Sequence, residues 1–167
     1  YNTESRLFKK EVGGGSLLDI GIYPIFAALA TLGAPNTIAA NATFFENGAD
    51  ASCDMIFQYE GAKATLKSTL LEKTTSHAVL TFDKAIVKLN SQFHQSKSIT
   101  TIQHNKEEVM HFDFKTNGYN YEIEHFNNLL REGKKESNIM TFDFSKTLIK
   151  TLDNVREIIG LSYPNSF

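Results

Sequence analysis

The alternation of hydrophobic and polar residues divides the chain into three regions. Residues 16–32 are apolar with helical spacing, residues 37–114 alternate with a period of two, and residues 119–160 return to helical spacing. Strict alternation over short runs is typical of half-buried strands, whereas apolar positions three and four apart are typical of amphipathic helices. The pattern therefore predicts a helix, a run of strands and two further helices, in that order.

The first region predicts a helix that is interrupted near its middle. Ser16 would be its N-cap and Gly33 its C-terminal stop. Pro24 lacks an amide hydrogen and crowds the preceding turn, so we expect a kink there or two short pieces. The apolar side of this helix would consist of Leu17, Leu18, Ile22, Ile25, Phe26 and Leu29.

The alternating region predicts antiparallel hairpins, because its short segments are separated by turn residues such as "NG", "EG" and "NK". One face of the sheet would be polar and the other apolar. The polar face would comprise Asn41, Thr43, Asp54, Gln58, Thr65, Lys67 and Thr69. The apolar face would comprise Ile38, Phe44, Cys53, Met55, Phe57, Leu66, Leu70, Met110, Phe112 and Phe114.

The closing region predicts two helices that cover the apolar face, ending at Gly133 and Gly160. The apolar stripe of the first would be Tyr119, Ile123, Phe126 and Leu130. That of the second would be Leu148, Leu152, Val155 and Ile159. We predict an α+β fold with an open, predominantly antiparallel sheet of about six strands and helices packed on one face, in a single domain over residues 1–167.

Charge, apolar runs and cysteine content indicate which classes of protein this chain does not belong to. The formal net charge is -2 and the lysines are scattered singly, which argues against a nucleic-acid partner or an anionic membrane surface. No apolar run reaches the roughly 18 residues of a membrane span, and no secretion leader opens the chain. Cys53 is the only cysteine, so no intrachain disulfide is possible. We expect a soluble, cytoplasmic protein, cut from a longer chain because it begins at Tyr1 without an initiator methionine.

Several kinds of chemistry lack support in the sequence. The five histidines show none of the spacings of a metal site, so we expect no metal. His77 and His111 lie in expected strands, where a single histidine is typically solvated or hydrogen-bonded. No serine has a G-x-S-x-G context, which argues against a hydrolase. No G-x-G-x-x-G is present, so the chain carries no dinucleotide-binding fingerprint.

The candidate chemistry lies in "GGGSLLDIGIYPI", residues 13–25, where Asp19 and Tyr23 are four positions apart. Side chains at that spacing share a helical face, so a carboxylate and a phenol could point into one cavity. A phenol ionises at about pH 10 and exchanges protons near neutrality only when a cation lowers its pKa. A third, positive group would therefore be required.

Structural interpretations of the same residues stay open. Asp19 could be a helix cap or the partner of a buried amide, and Tyr23 could be a core residue whose hydroxyl reaches water. The three glycines could form a flexible lead or a tight turn that has no room for Cβ atoms.

This segment resembles the one that opens the C-terminal domain of the Gfo/Idh/MocA oxidoreductases, the family of glucose-fructose oxidoreductase, inositol dehydrogenase and dihydrodiol dehydrogenase. The tail "NGYNYEIEHFNNLLREGKKESNIMTFDFSKTLIKTLDNVREIIGLSYP" resembles the closing two helices of that family. The resemblance covers nearly the whole chain and is loosest across the strands, where "TFDKAIVKL" stands in place of a G-T-x-G turn. No substrate-contact residues are assigned from that part.

The resemblance implies the C-terminal, substrate-binding and oligomerisation domain of an NAD(P)-dependent oxidoreductase. NAD or NADP would be held mainly by an N-terminal Rossmann domain, which is absent from this chain and would also supply a catalytic lysine. Asp19 matches the active-site aspartate of the family. Tyr23 matches a position that holds tyrosine in the sugar and dihydrodiol branch and histidine in the inositol branch.

The implied reaction transfers a hydride between nicotinamide and a hydroxyl carbon of a sugar or cyclic diol. Tyr23 would exchange the hydroxyl proton, and Asp19 would orient substrate or lysine. The resemblance also implies a homodimer formed through the sheet, and the fragment alone should be inactive because it lacks the dinucleotide-binding glycines. The alternative is a noncatalytic family member whose sheet serves as an oligomerisation or ligand-sensing module.

Overall fold

The computed structural model describes residues 5–163. Residues 1–4 of the polar lead and Pro164 of the tail motif lie outside that range. The helices are α1 (Ile22–Leu32), α2 (Tyr119–Arg131) and α3 (Phe142–Ile159). The strands are β1 (Thr37–Phe44), β2 (Asp50–Tyr59), β3 (Ala62–Thr69), β4 (Ala78–Thr81), β5 (Ile86–Leu89), β6 (Ser98–Gln103) and β7 (Lys106–His111). The predicted order of elements and the α+β class are confirmed.

The strands form two antiparallel sheets where the sequence predicted one. The first has the order β1-β2-β3 and the second the order β4-β5-β6-β7. The chain divides into two compact units accordingly, one up to residue 73 together with the residues from 142 on, and the other over Thr74–Thr141. Residues 70–77 between β3 and β4 belong to no strand, and alternation within strands does not reveal such a break.

In the first unit, β2 is the central strand and carries the core of the sheet. Cys53, Met55 and Phe57 have no exposed surface, while the residues between them face solvent. The other face of the core comes from α1, α3 and the residues beside them. These are Leu17, Ile25, Ala28, Leu29, Leu148, Leu152, Val155 and Leu161. Burying a large aliphatic side chain contributes about 1.5–3 kcal/mol, so this cluster is the main source of stability in the unit.

Two residues predicted to be in the core of this unit are exposed. Phe44 is 43% exposed, because the register of β1 against β2 shifts between Thr43 and Phe44, and a shift of one residue turns a side chain to the other face. Phe26 is 42% exposed and makes an edge contact with the ring of Phe144, 5.3 Å between centroids.

The first helical region is built in two pieces, as Pro24 led us to expect. Leu17–Gly21 forms a π-helical turn, and α1 begins at Ile22. Pro24 is the third residue of α1, and the π-helical turn lies directly before it. The hydrogen-bond pattern of the helix therefore changes in the turn that precedes the residue without an N–H.

In the second unit, the apolar predictions are wrong for β7 and α2. Every residue of the edge strand β7 is exposed, including Met110 at 64%, and Phe112 just beyond it is 38% exposed. The predicted stripe of α2 is exposed as well, at 59–63% for Tyr119, Ile123, Phe126 and Leu130. Periodicity shows that a helix has an apolar side, but it does not show what covers that side.

Candidate functional site

The glycines of the "GGG" segment allow close approach of the backbone to other groups. A Cβ atom on Gly14 would lie 2.4 Å from the carbonyl oxygen of Arg6, and one on Gly15 would lie 1.9 Å from Oδ1 of Asp50. Gly15 also has a φ of +136°, which residues with a side chain rarely adopt. At Gly14 and Gly15 the structure therefore confirms a tight turn without room for Cβ atoms, whereas a Cβ atom on Gly13 would meet nothing within 4 Å.

A buried carboxylate fixes the start of the π-helical turn. Oδ2 of Asp50 accepts hydrogen bonds from the Leu17 amide at 2.6 Å and from the Ser16 hydroxyl at 2.9 Å. The Ser16 hydroxyl also lies 3.1 Å from that of Ser68. Asp50 and Ser16 are fully buried. The amides at the start of a helix carry partial positive charge, which favours an anion there.

The predicted N-cap role of Ser16 is therefore wrong. Ser16 has helical backbone angles, and its side chain makes no capping hydrogen bond. The capping group is Asp50, which lies 33 residues beyond Leu17 at the start of β2. A cap supplied from such a distance leaves no local signal in the sequence, since the usual capping patterns span only a few residues.

The buried Cys53 and the half-buried Tyr163, both near Asp50, have pKa values above their ordinary range. Burial, and then the charge of Asp50, raise the pKa of the Cys53 thiol to about 12. The same two causes raise the pKa of Tyr163 to about 12, although Arg156 opposes them. The Tyr163 hydroxyl donates to the carbonyl oxygen of Gly14 at 3.3 Å, so this tyrosine contacts the glycine turn.

Asp19 lies in the π-helical turn, and Tyr23 lies in the first turn of α1. The Asp19 side chain is 27% exposed and Tyr23 is 44% exposed, so both reach the surface. The four-residue spacing spans the junction between the two kinds of helix. That the two side chains face one cavity stays a prediction.

Asp19 forms an ion pair with Arg6, whose Nη2 lies 2.5 Å from Oδ1. The partner of Asp19 is thus an arginine, whereas the sequence had suggested a helix N-terminus or a buried amide as alternatives. An exposed pair of this kind contributes about 0–1 kcal/mol to stability. Arg6 is not identifiable from the sequence, because the residues before the glycines have no periodic pattern that could place them next to Asp19.

The glycine turn does not have the form of a phosphate-binding loop. The amides of Gly14 and Gly15 donate to the carbonyl oxygens of Lys9 and Leu7, both at 2.9 Å. The buried carboxylate of Asp50 lies beside the turn and would repel a phosphate. A dinucleotide loop instead keeps its amides free at a helix N-terminus that follows a strand. These residues therefore do not fit a dinucleotide.

Other features of the described chain do not add a second chemical site. Within residues 5–163, no group of three or more His, Cys, Asp or Glu side chains could hold a metal ion. The helices in this range are all too short or too polar to cross a bilayer. Two surface cavities, one beside the start of β1 and one beside β5 and β6, are lined by neither Asp19 nor Tyr23.

Sequence comparisons identify relatives of the chain. The sequence profile described as GFO/IDH/MocA C-terminal domain matches residues 1–87. The chain is 33% identical to trans-1,2-dihydrobenzene-1,2-diol dehydrogenase of Xenopus tropicalis over 95% of its own length and 51% of that protein. It is 27% identical to scyllo-inositol 2-dehydrogenase (NADP(+)) IolU of Bacillus subtilis strain 168 over 94% and 48%. The chain spans about half the length of the curated relatives it matches.

Two solved structures share the fold. KijD10, a 3-ketoreductase from Actinomadura kijaniata in complex with NADP and TDP-benzene, has a TM-score of 0.82 at 19% identity, covering 95% of this chain and 50% of that chain. The aldose-aldose oxidoreductase from Caulobacter crescentus, complexed with glycerol, has a TM-score of 0.80 at 17% identity, covering 95% and 49%. At these identities the likeness is one of fold alone.

Proposed function

Because the chain belongs to the Gfo/Idh/MocA family as its C-terminal domain, we propose that it is the substrate-facing part of an NAD(P)-dependent oxidoreductase. In this proposal the rest of the parent protein contains the Rossmann domain that holds NAD or NADP. The substrate is a sugar or a cyclic diol. The names of the relatives support this assignment, since they include a dihydrodiol dehydrogenase and an NADP-dependent inositol dehydrogenase.

The observation that carries the proposal is the exposure of the acid and the phenol on an otherwise apolar helical segment. Tyr23 is 44% exposed, whereas Ile25 two residues later has no exposed surface. A tyrosine that only filled the core would lie on the side of Ile25. A group that acts on a substrate held between two domains must instead be open on the isolated domain.

The residues of this chain handle the proton. A bound nicotinamide supplies or accepts the hydride. The Tyr23 phenolate, with a lysine of the parent protein as its counter-ion, takes the proton of the reacting substrate hydroxyl during oxidation, and the Tyr23 phenol returns a proton during reduction. The Asp19 carboxylate accepts a hydrogen bond from a second substrate hydroxyl or from a lysine of the parent protein, and so orients the reacting group.

The test is an assay of the full-length protein for NAD(P) reduction with a panel of pyranoses and dihydrodiols. Tyr23→Phe should lower turnover by about 100-fold or more, since a positioned proton-transfer group contributes about 10²–10⁴-fold. Tyr119→Phe is the matched control, because it removes the hydroxyl of a tyrosine that is 63% exposed on α2. Unchanged turnover in Tyr23→Phe would remove this residue from the mechanism.

A second candidate function concerns the outer face of the β1-β2-β3 sheet. This face is open to solvent and includes Ile56, 38% exposed, between the exposed Asp54 and Gln58. We propose that two copies associate through it, since stacked sheets form isologous dimers readily. Sedimentation of the full-length protein should show a dimer that Ile56→Asp converts to a monomer. A dimer without dehydrogenase activity would favour the noncatalytic alternative, in which the sheet is an oligomerisation or ligand-sensing module.

We also propose a cytoplasmic location. Cys53 is the single cysteine of the chain and is free and buried. A lone unpaired thiol is typical of proteins that work in a reducing compartment. Fractionation of cells that produce the full-length protein would test this, and recovery from an extracellular or membrane fraction would contradict it.

A further inference from the structure

Arg6 brings a positive charge to the helical segment that carries Asp19 and Tyr23. Its Nη2 lies 2.5 Å from Oδ1 of Asp19, and its side chain is 65% exposed. A guanidinium has five N–H donors in a fixed plane, so one nitrogen can hold a carboxylate while the others face solvent or a ligand.

The backbone around Arg6 is held in place by the same glycine turn. Its carbonyl oxygen accepts from Lys9, and it would clash at 2.4 Å with a Cβ atom on Gly14. The next residue, Leu7, accepts from the Gly15 amide at 2.9 Å. The glycines that open the π-helical turn therefore also fix the chain from which Arg6 reaches Asp19.

A second anchor joins this segment to the β1–β2 connection. The Asn47 amide group donates to the carbonyl oxygen of Phe8, and the ring of Phe8 lies 5.6 Å from that of Phe45 at a steep angle. The short 3₁₀ turn Arg6–Phe8 is thus held by contacts with the glycine turn and with the β1–β2 connection. Arg6 approaches Asp19 from a fixed backbone rather than from a free end.

Exposure decides what this ion pair can do. Exposed ion pairs add little to folding stability, because water screens the attraction and two side chains lose freedom. What the contact does fix is the direction of the carboxylate and the local charge. With Oδ1 engaged, Oδ2 is the oxygen that can turn to a ligand.

We infer that Arg6 is a positioning residue for the proposed reaction. It binds Oδ1 of Asp19, so that Oδ2 accepts a hydrogen bond from a substrate hydroxyl. This inference rests on the proposed function. Arg6 also offsets the negative charge of Asp19, which lies four residues before Tyr23 in the same helical segment.

The test uses the full-length protein and the substrate that it oxidises best. Arg6→Gln should lower kcat/KM by about 10- to 100-fold, the range expected when a reacting group loses its orientation. Arg6→Lys should keep part of the activity, because it retains the charge but not the planar fork. Lys146→Gln is the control, since it removes a more exposed ion pair, with Asp143 on α3, that lies in a part of the chain to which no role in the reaction is assigned. Its kcat/KM should match that of the unmodified protein.

Two further readouts separate positioning from a general structural effect. Removing a cation favours the protonated forms of nearby acids, so Arg6→Gln should move the kcat/KM profile to higher pH, and Lys146→Gln should not. If Arg6 acts through Asp19, adding Arg6→Gln to Asp19→Asn should reduce kcat/KM by less than twofold further. Additive losses, or an unmoved pH profile, would overturn the inference.

The outcomes also separate this inference from the proposed function. Absence of NAD(P)-dependent turnover by the unmodified full-length protein with every substrate of the panel would remove the proposed function and the inference with it. Full activity in both Asp19→Asn and Tyr23→Phe would leave the oxidoreductase function, remove these two residues from the mechanism and overturn the inference. Large losses in those two variants together with normal kinetics in Arg6→Gln would leave the function and overturn the role of Arg6. Should Arg6→Gln fail to fold, Arg6→Lys is carried through the same cycle, and additivity there has the same meaning.

Discussion

The amide of Leu17 and the carboxylate of Asp50 are joined by a hydrogen bond of 2.6 Å, although the two residues are 33 positions apart. This contact ties the central strand of the first sheet to the turn that carries Asp19. The orientation of the candidate site therefore depends on a residue in the interior of the protein.

Asp50→Ala should lower the free energy of unfolding of the chain by about 2–4 kcal/mol, because a buried amide and the Ser16 hydroxyl lose a charged acceptor. Asp50→Asn keeps an acceptor oxygen in the same place and should cost about half as much. Urea unfolding followed by circular dichroism measures both values. Equal losses in the two variants would contradict a role for the acceptor.

Gly15→Ala should destabilise the chain by roughly 3–5 kcal/mol, since its Cβ would lie 1.9 Å from Oδ1 of Asp50 in a backbone conformation that alanine avoids. Gly13→Ala is the matched control. Gly13 also has a positive φ, +77°, but a Cβ there meets nothing within 4 Å. Its cost should be only about 1 kcal/mol, for backbone strain alone. Similar losses at both positions would show that the contact with Asp50 is unimportant.

Tyr163 should make the chain less stable at alkaline pH. Its pKa is raised from 10.0 to about 12 by burial and by Asp50, so the unfolded chain releases the phenolic proton at lower pH than the folded chain. The stability from this group is fully present below about pH 10 and is lost as pH rises to about 12. Unfolding free energies measured across this range should fall less steeply in Tyr163→Phe. If the unfolding free energies of the unmodified chain and Tyr163→Phe fell equally steeply with pH, Tyr163 would not be the group responsible.

Cys53 should be inert in the folded chain. Burial raises the pKa of its thiol to about 12, and the thiolate is the reactive form. At pH 8 we expect no alkylation by iodoacetamide within an hour in buffer, and complete alkylation in 8 M urea, as read by the mass of the chain. Because Cys53 is the only cysteine, the mass change reports this one site. Rapid labelling in buffer would mean that the core opens locally.

The sequence predicted those parts of the fold that a local pattern encodes. Alternation along β2 predicted the burial of Cys53, Met55 and Phe57, and all three have no exposed surface. The missing amide hydrogen of Pro24 predicted a helix in two pieces. In each case the cause is confined to a few neighbouring residues, so it can be identified without coordinates.

Contacts between distant segments were not predictable in this way. The cap from Asp50 and the ion pair from Arg6 join residues 33 and 13 positions apart. Neither spacing matches a helical or strand period. The exposed stripe of α2 was missed for a related reason, because an apolar pattern shows what a helix could bury and not whether a partner is there.

The five-residue turn at Leu17–Gly21 has a consequence for how the acid and the phenol can diverge among related sequences. A π-helical turn holds one residue more than an α-helical turn, and one residue corresponds to roughly 100° of rotation about the axis. The direction of Asp19 about the helix axis therefore depends on the length of the π-helical turn, whereas that of Tyr23 depends on α1. A one-residue deletion in the turn would rotate the Asp19 carboxylate about the helix axis, while Tyr23 and the buried side of α1 keep their positions. The loss of a single codon would therefore be enough to change the direction of one member of the pair.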